Sequence, residues 1–192
     1  MKQILGLLST LLVAGALMSF LPNPTPNANT TIDLETNIDL EASYVKYTGY
    51  KQVGSKHYGK LFFQSGQLEL TDGQLSGGSF VVDMNSMTND DIKNFKGKFL
   101  KHMKSDDFFA VAKYPTASFT ISSVEEGDDG FSHVINGAMT IKDITKNIAV
   151  PANIKINGES VSIEGSAKID RTDFGIKYGS GNFFKELTAN KV

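Results

Sequence analysis

Hydrophobic and polar residues alternate along most of the chain beyond residue 32, and this period of two is typical of strands with one buried face. In the segment 147–156, for example, Ile148, Val150 and Ile154 fall on one face, while Asn153 and Lys155 fall on the other. Turn-forming clusters separate such runs, so about eight strands are predicted. The predicted inward positions are Phe80, Val82, Met84, Phe119, Ile121, Ile135, Met139, Ile141, Ile148, Val150, Ile154 and Ile163.

The predicted fold is an all-β, antiparallel, lipocalin-like β-barrel of about eight strands. Small residues alternate with large apolar residues on the predicted inner face, which suits a curved interior; they are Ala138, Ala152, Gly165 and Ala167. Alternation alone leaves a two-sheet sandwich open as an alternative. It also leaves open a solid core in which every apolar side chain serves packing.

One segment departs from the alternation and predicts an amphipathic helix, because its apolar residues recur at helical spacing. They are Ile92, Phe95, Phe99, Leu100 and Met103. Thr88 or Asn89 is predicted to cap this helix, with Asp90 and Asp91 at the positive end of its dipole.

Four phenylalanines of this region, Phe95, Phe99, Phe108 and Phe109, lie outside the predicted strands, and we expect them to cover an open end of the barrel. Lysines fill much of the opposite helix face. Two interpretations of these lysines stay open: an ordinary solvated face, favoured by the pattern alone, or positive charge beside the polar head of a ligand.

The first 31 residues are expected to lie outside the folded domain. Lys2 precedes an apolar run from Ile4 to Leu21, which is typical of a signal peptide, so residues 1–21 are predicted to be removed on export to the periplasm or medium. An uncleaved N-terminal helix is the alternative. Residues 22–31 are rich in Pro, Asn and Thr and predict a flexible spacer, so the domain is expected to occupy residues 32–192.

Composition and motifs argue against catalysis. The chain has no cysteine, which excludes disulfides, thiol nucleophiles and cysteine-ligated metals. A formal net charge of −2 leaves no basic excess for nucleic acid. The histidines at 57, 102 and 133 lack metal-site spacing, and no hydrolase, phosphate-loop or metalloprotease motif occurs. We therefore expect no enzyme activity, no cofactor and no metal. Asp170 and its neighbour Arg171 are expected to form a structural ion pair near one end of the barrel.

A set of motifs in a fixed order resembles the YceI-like family of polyisoprenoid-binding proteins, from about Tyr44 to Phe184. No single motif is specific, but their joint order is. They are His57-Tyr-Gly59, Gly77-Gly-Ser-Phe-Val-Val-Asp-Met-Asn-Ser86, Leu100-Lys-His-Met-Lys-Ser-Asp-Asp-Phe-Phe109, Lys113-Tyr-Pro-Thr-Ala-Ser-Phe119, Met139-Thr-Ile-Lys142 and Ile169-Asp-Arg-Thr-Asp-Phe-Gly175.

The resemblance implies an exported lipocalin-like barrel that holds a long isoprenoid or similar amphiphile in a hydrophobic bore, without catalytic residues. The sixteen inward and covering positions above are then the candidate lipid-binding residues. Transient membrane contact and a homodimer are both compatible with this sequence. The alternative function is a secreted structural or stress-related barrel with a filled core that acts through a protein partner.

The sequence departs from the family pattern near its end. Members usually continue past the motif matched by Gly179 to Phe184 into one further strand, whereas this chain stops at Val192. A missing last strand would leave two unpaired sheet edges. The weakly alternating segment Ile32 to Leu40 is a candidate substitute for it.

Overall fold

The computed structural model describes residues 33–50, 56–158 and 160–179. The predicted signal peptide, the spacer and the end of the chain beyond Gly179 lie outside these ranges. The described elements are β1 (Asp33–Asn37), β2 (Tyr44–Tyr50), β3 (Lys56–Thr71), β4 (Gln74–Asp83), α1 (Lys96–Lys104), β5 (Thr116–Glu126), β6 (His133–Ile141), β7 (Ile144–Asn157) and β8 (Ser160–Gly165), with short 3-10 helices at Met84–Ser86 and Arg171–Phe174.

All the strands join one antiparallel sheet. The long strand β3 pairs with both β1 and β2 along one edge, and β4 to β8 follow in sequence order from its other edge. Within the described ranges, β8 pairs only with β7. The inner faces of β3 to β8 share one apolar cluster, so the sheet is curled into a half-barrel, which confirms the predicted all-β antiparallel fold with one α-helix.

The curled sheet has two distinct ends. The hairpin end carries the turn Asp72-Gly73, the loop 127–132 and the β7–β8 connection at Gly158. The helix end carries α1, both 3-10 helices and the turn Lys142-Asp143. Both two-residue turns place their residues at positive φ, as primed hairpin turns require. None of the helices in the described ranges is long and apolar enough to cross a bilayer.

Strand pairing shifts at three places in the described sheet, and two of these shifts change which residues of β3 and β5 face inward. In β3 the buried positions change from Leu61 to Leu68 and Leu70, and the pairing with β4 shifts between Phe63 and Ser65. The extra residue explains the change from odd to even numbering, because successive side chains in a regular strand point to opposite faces. A second shift, after Ile121 in β5, places Val124 inside the sheet.

The predicted start of the helix was wrong. The helix begins at Lys96, not after a cap at Thr88 or Asn89, and its first turn has no acidic residue. The cause is tertiary: the side chains of Thr88, Asn89 and Asp91 form hydrogen bonds with the backbone of β3. Thr88 Oγ1 accepts from the Lys60 amide, and Asp91 Oδ1 accepts from the Tyr58 amide. These polar groups are therefore not available to helix amides.

Three smaller predictions also need correction. Met84 is buried, but it begins a 3-10 helix after β4 instead of continuing the strand. The alternating run 160–169 forms a strand only to Gly165, because the next partner on β7 is Pro151, which has no N–H to donate. Ala138 points outward and Ala167 is exposed.

The first described strand pairs in a different place from the one predicted. The segment Ile32 to Leu40 was predicted as a substitute for a missing last strand. Its strand β1 instead pairs with Gln67–Thr71 of β3, beyond the stretch that pairs with β2. The chain after Gly179, where the sequence predicts that a last strand is absent, lies outside the described residues.

Candidate functional site

The apolar face of the curled sheet is the candidate site. Its deepest side chains come from β3 to β7 and form what we call the interior cluster: Leu68, Leu70, Leu75, Ile121, Ile135 and Ala152. Half-buried side chains from β4 to β8 pack against it, among them Phe80, Phe119, Val150, Ile154 and Ile163. Because six consecutive strands contribute, the cluster is a continuous apolar surface across most of the sheet.

One glycine shapes this surface. Gly137 lies on the inner face of β6, and a Cβ placed there would lie 2.5 Å from the Phe119 ring. The absence of a side chain therefore lets the ring lie across the neighbouring strand. Ala152 is a second small residue of this surface and is fully buried. It was correctly predicted to face inward.

The interior opens toward solvent at the hairpin end. A cavity of about 370 Å³ lies there, and both apolar inner side chains and polar rim residues line it. The lining residues are Gln74, Leu75, Val124, Glu125, Glu126, His133, Ile154 and Ile156. This opening is at the end opposite to α1, whereas the sequence predicted the covered opening beside the helix.

Two further clusters fill the helix end. The helix cluster joins buried Leu61, Met84, Met87 and Val111 to side chains that include Val82, Leu100, Met103 and Phe109. The Phe174 cluster joins buried Ile141, Phe174 and Ile176 to Phe108, Phe109 and Met139. Phe109 packs against both clusters, so it links the loop after α1 to the sheet.

Most of the predicted positions therefore lie in one of the three clusters, but three do not. Phe99 is half-buried, and its ring centroid lies 4.9 Å from that of His57. Ile148 is half-buried on β7, opposite Gly137. Phe95 has 81% of its surface exposed.

The sequence analysis missed Leu68, Leu70 and Leu75 as inward residues. Leu68 and Leu70 alternate as in a strand, and the Asp72-Gly73 turn that precedes Leu75 is a hairpin signal.

A buried polar network fastens the chain before α1 to β3. Asn89 is fully buried; its Nδ2 donates to the Tyr58 carbonyl and to Asp91 Oδ1, and its Oδ1 accepts from the Ile92 amide. Asp91 Oδ2 lies 2.7 Å from His57 Nδ1. The Tyr47 hydroxyl donates to the Thr88 carbonyl. These bonds hold backbone groups and each other, so the network is structural.

Two pKa values reflect this environment. Partial burial disfavours the charged form of Asp91, but hydrogen bonds from Tyr58, His57 and Asn89 outweigh it and lower the pKa to about 2. Burial raises the pKa of the Tyr47 phenol to about 12; the hydrogen bond with Asn89 opposes this, and the charges of Asp90 and Asp91 add to it. Tyr47 is therefore protonated, and Asp91 ionised, at neutral pH.

Replacing Asp91 with asparagine should lower the free energy of unfolding at pH 7 by about 1 kcal/mol, after allowance for partial solvent screening. Because the folded pKa of Asp91 lies below the ordinary 3.8, its stabilisation is complete above that value and is lost as the pH falls through about 2. Urea unfolding at pH 7, 4 and 3 measures this difference. Exposed Asp129→Asn is the control, and a deficit in Asp91→Asn that does not shrink with falling pH would contradict the assignment.

Arg171 anchors the last described segment. The guanidinium is buried; Nη1 donates to the Ile176 carbonyl at 2.6 Å and Nη2 to the Tyr178 carbonyl at 2.7 Å. It also lies 5.4 Å from the centre of the Phe108 ring. Burial lowers its pKa, and the charge of Asp170 opposes this. In turn, Asp170 caps the 3-10 helix by accepting from Thr172.

Within the described residues, no group of three or more His, Cys, Asp or Glu side chains could hold a metal ion. Every buried side-chain nitrogen or oxygen in that part of the chain has a hydrogen-bond partner. The interior cluster presents an apolar surface, and such a surface can bury an apolar molecule.

Comparison with protein families gives a match to the YceI-like domain over residues 37–192. A UPF0312 protein of Shewanella denitrificans is 27% identical over 181 residues, which cover 91% of this chain and 89% of that protein. A UPF0312 protein of Pseudomonas aeruginosa is 34% identical over 93 residues. This chain spans about half the length of that relative, since the match covers 48% of it.

Two solved structures share the fold. Burkholderia cenocepacia BcnA superposes with a TM-score of 0.61 at 24% identity, over 78% of this chain and 89% of that chain. A polyisoprenoid-binding domain from Saccharophagus degradans, implicated in plant cell wall breakdown, superposes with a TM-score of 0.54 at 15% identity, over 80% and 89% of the two chains. Both are similar to this chain in fold.

Proposed function

Because the chain belongs to the YceI-like domain family, we propose that it binds a polyisoprenoid or similar long amphiphile, without catalysis, in the apolar interior of its curled sheet. The observation that carries this proposal is the interior cluster, an apolar face that six consecutive strands share. The polyisoprenoid-binding domain of Saccharophagus degradans, which has the same fold, supports the choice of ligand.

Burial of hydrocarbon supplies the binding energy. Each methylene removed from water contributes about 0.8 kcal/mol, so ten carbons supply about 8 kcal/mol before the entropy of association is subtracted. The cavity of about 370 Å³ lies in the range of about 300 to 1,000 Å³ that is usual for small-molecule sites. Its apolar wall, which includes Leu75, Ile154 and Ile156, continues into the interior cluster.

Charges at the hairpin end favour a neutral head group. Glu125 and Glu126 line the cavity beside His133 and Gln74. A hydroxyl or carbonyl group at this rim can form hydrogen bonds, whereas a phosphate would meet two carboxylates. The lysines of α1, which the sequence offered for an anionic head, lie at the other end of the sheet.

Affinity should rise with tail length until the interior is full. A series of neutral prenols (geraniol, farnesol and geranylgeraniol) should bind at least tenfold more tightly for each added isoprene unit, because several further carbons leave water. Displacement of an environment-sensitive fluorescent lipid measures the three dissociation constants. Equal affinity across the series would mean that the tail is not buried and would contradict the proposal.

We also propose that the protein acts outside the cytoplasm as a carrier or reservoir. The support is the charge at Lys2, followed by the apolar run from Ile4 to Leu21. An exported chain of this kind could hold a water-insoluble lipid between membranes. Intact-mass analysis of the protein from its native host tests the export step.

A further inference from the structure

Positive charge is concentrated in two stretches of the chain. Residues 44–68 contain four lysines, residues 93–104 contain five, and neither stretch has an Asp or Glu. Together they hold nine of the 19 basic residues, so the rest of the chain has ten basic residues against 21 acidic ones. The overall charge of −2 therefore hides a strongly uneven distribution.

The first stretch presents its lysines and aromatic rings on one face. Val45 of β2 lies opposite Leu61 of β3, and both side chains pack into the helix cluster. Because side chains alternate along a strand, the residue pairs on either side of this pair face outward. These outward pairs are Tyr44 with Phe62, Lys46 with Lys60, Thr48 with Tyr58 and Tyr50 with Lys56. Tyr44 is 48% exposed and Tyr50 is 57% exposed, so the rings lie in solvent beside the lysines.

The second stretch meets the first at the start of β3. The ring of Phe99 in α1 lies against His57, next to Lys56. One helical turn earlier, Phe95 precedes α1 among the exposed residues Lys93, Lys96 and Lys98. The backbone beside the contact of Phe99 with His57 joins the two stretches: the Thr88 amide donates to the Lys60 carbonyl and the Asp90 amide to the Tyr58 carbonyl, so the chain that leads into α1 runs along β3 toward Lys56 and its partner Tyr50.

Phe95 is the unusual residue of this surface. It is 81% exposed and has a φ of 66°, in the left-handed region that phenylalanine rarely adopts. It also makes no side-chain cap for α1. Packing within the domain explains neither the exposed ring nor its backbone conformation, and such strain is commonly retained where a residue contacts a ligand or partner.

We propose that this basic–aromatic surface, formed by Tyr44, Tyr50, Lys56, Phe62, Phe95 and Lys96, docks on an anionic lipid bilayer. Lysines are attracted to anionic head groups, and exposed aromatic rings favour the interface between head groups and hydrocarbon. The carboxylates at the hairpin end, including Glu125 and Glu126, orient that end away from the same membrane. This docking does not depend on lipid binding in the interior.

A single tryptophan gives a local test, because the chain has none of its own. The apolar run at residues 4–21 can bind vesicles by itself, so sedimentation of the full chain is not sufficient. We would place one reporter on the surface, Phe95→Trp, and a matched reporter at the hairpin end, Phe131→Trp, where the native ring is also partly exposed. Tyr50→Trp is the second surface reporter if circular dichroism shows that Phe95→Trp does not fold.

Vesicles of phosphatidylcholine, with or without phosphatidylglycerol, are then added to each full-length variant. The emission of Phe95→Trp should shift to shorter wavelength only with the anionic vesicles, and high salt should reverse the shift. In that background, Lys96→Glu and Lys98→Glu should each weaken vesicle binding about fivefold or more. The emission of Phe131→Trp should not change.

Three results would overturn the proposal. An unchanged Phe95→Trp spectrum would show that the surface does not enter the bilayer interface. Equal shifts in both reporters would show unspecific adsorption or attachment through the N-terminal run. A shift that depends on protein concentration without vesicles would show that the surface pairs two copies of the chain. Because neither reporter lies in the interior cluster, failure of the docking leaves the test of lipid binding unaffected.

Discussion

Aspartate in place of Ile154 or Ile163 should abolish retention of an isoprenoid and lower the free energy of unfolding by about 3 kcal/mol. The two isoleucines are register partners on β7 and β8, and both pack against the interior cluster. Each change replaces a half-buried hydrocarbon side chain with a carboxylate that faces the apolar surface. Lipid extraction and urea unfolding of each variant measure the two effects.

Lys155→Asp is the matched control, because it adds the same side chain one residue away. Lys155 is exposed and pairs with Ser162 on the outer face, so its replacement should change stability by no more than about 0.5 kcal/mol. It should also retain ligand. Equal damage from Lys155→Asp and Ile154→Asp would mean that the inward face of β7 has been assigned wrongly.

Loss of the Arg171 guanidinium should be similarly damaging. Arg171→Met keeps much of the apolar stem but leaves the carbonyls of Ile176 and Tyr178 without these donors, at a cost of about 3 kcal/mol. The change should also loosen the Phe174 cluster, which closes part of the helix end. The melting temperature and urea unfolding curves of the purified variant measure the loss.

Two variants define the cause of that loss. Arg171→Lys should recover only a small part of the stability, because one ammonium group lacks the planar fork that reaches both carbonyls. Lys168→Met removes an exposed positive charge near the same segment and should have little effect. A stable Arg171→Met protein would show that the two carbonyls find other donors and that the anchor is dispensable.

Much of the sheet could be predicted because burial of one face enforces alternation. This holds for β6 and β7, where Ile135, Met139, Ile141, Val150 and Ile154 face inward as predicted. Prediction of the inward face from alternation fails at bulges, because one extra residue exchanges the two faces of the strand. The alternation on each side of the bulge stays regular, so the sequence does not show where the exchange occurs. Leu68 and Leu70 follow such a bulge, which is why they were missed.

The helix end could be predicted only in part. The apolar spacing of α1 is real from Leu100 to Met103, and both residues pack in the helix cluster. The cap was misplaced because Asn89 and Asp91 suit a helix start equally well, and only the fold shows that β3 takes their hydrogen bonds. Phe95 fits the helical stripe in the sequence, yet the backbone turns before Lys96 and leaves its ring in solvent.

The lipid content of the protein, purified from its native host without added ligand, tests the central claim most directly. Solvent extraction followed by mass spectrometry should find about one amphiphile with an isoprenoid tail per chain, and Ile154→Asp should lose it while Lys155→Asp keeps it. A protein that carries no amphiphile, or an Ile154→Asp variant that retains as much as the wild type, would contradict the account and favour a filled barrel that acts through a protein partner.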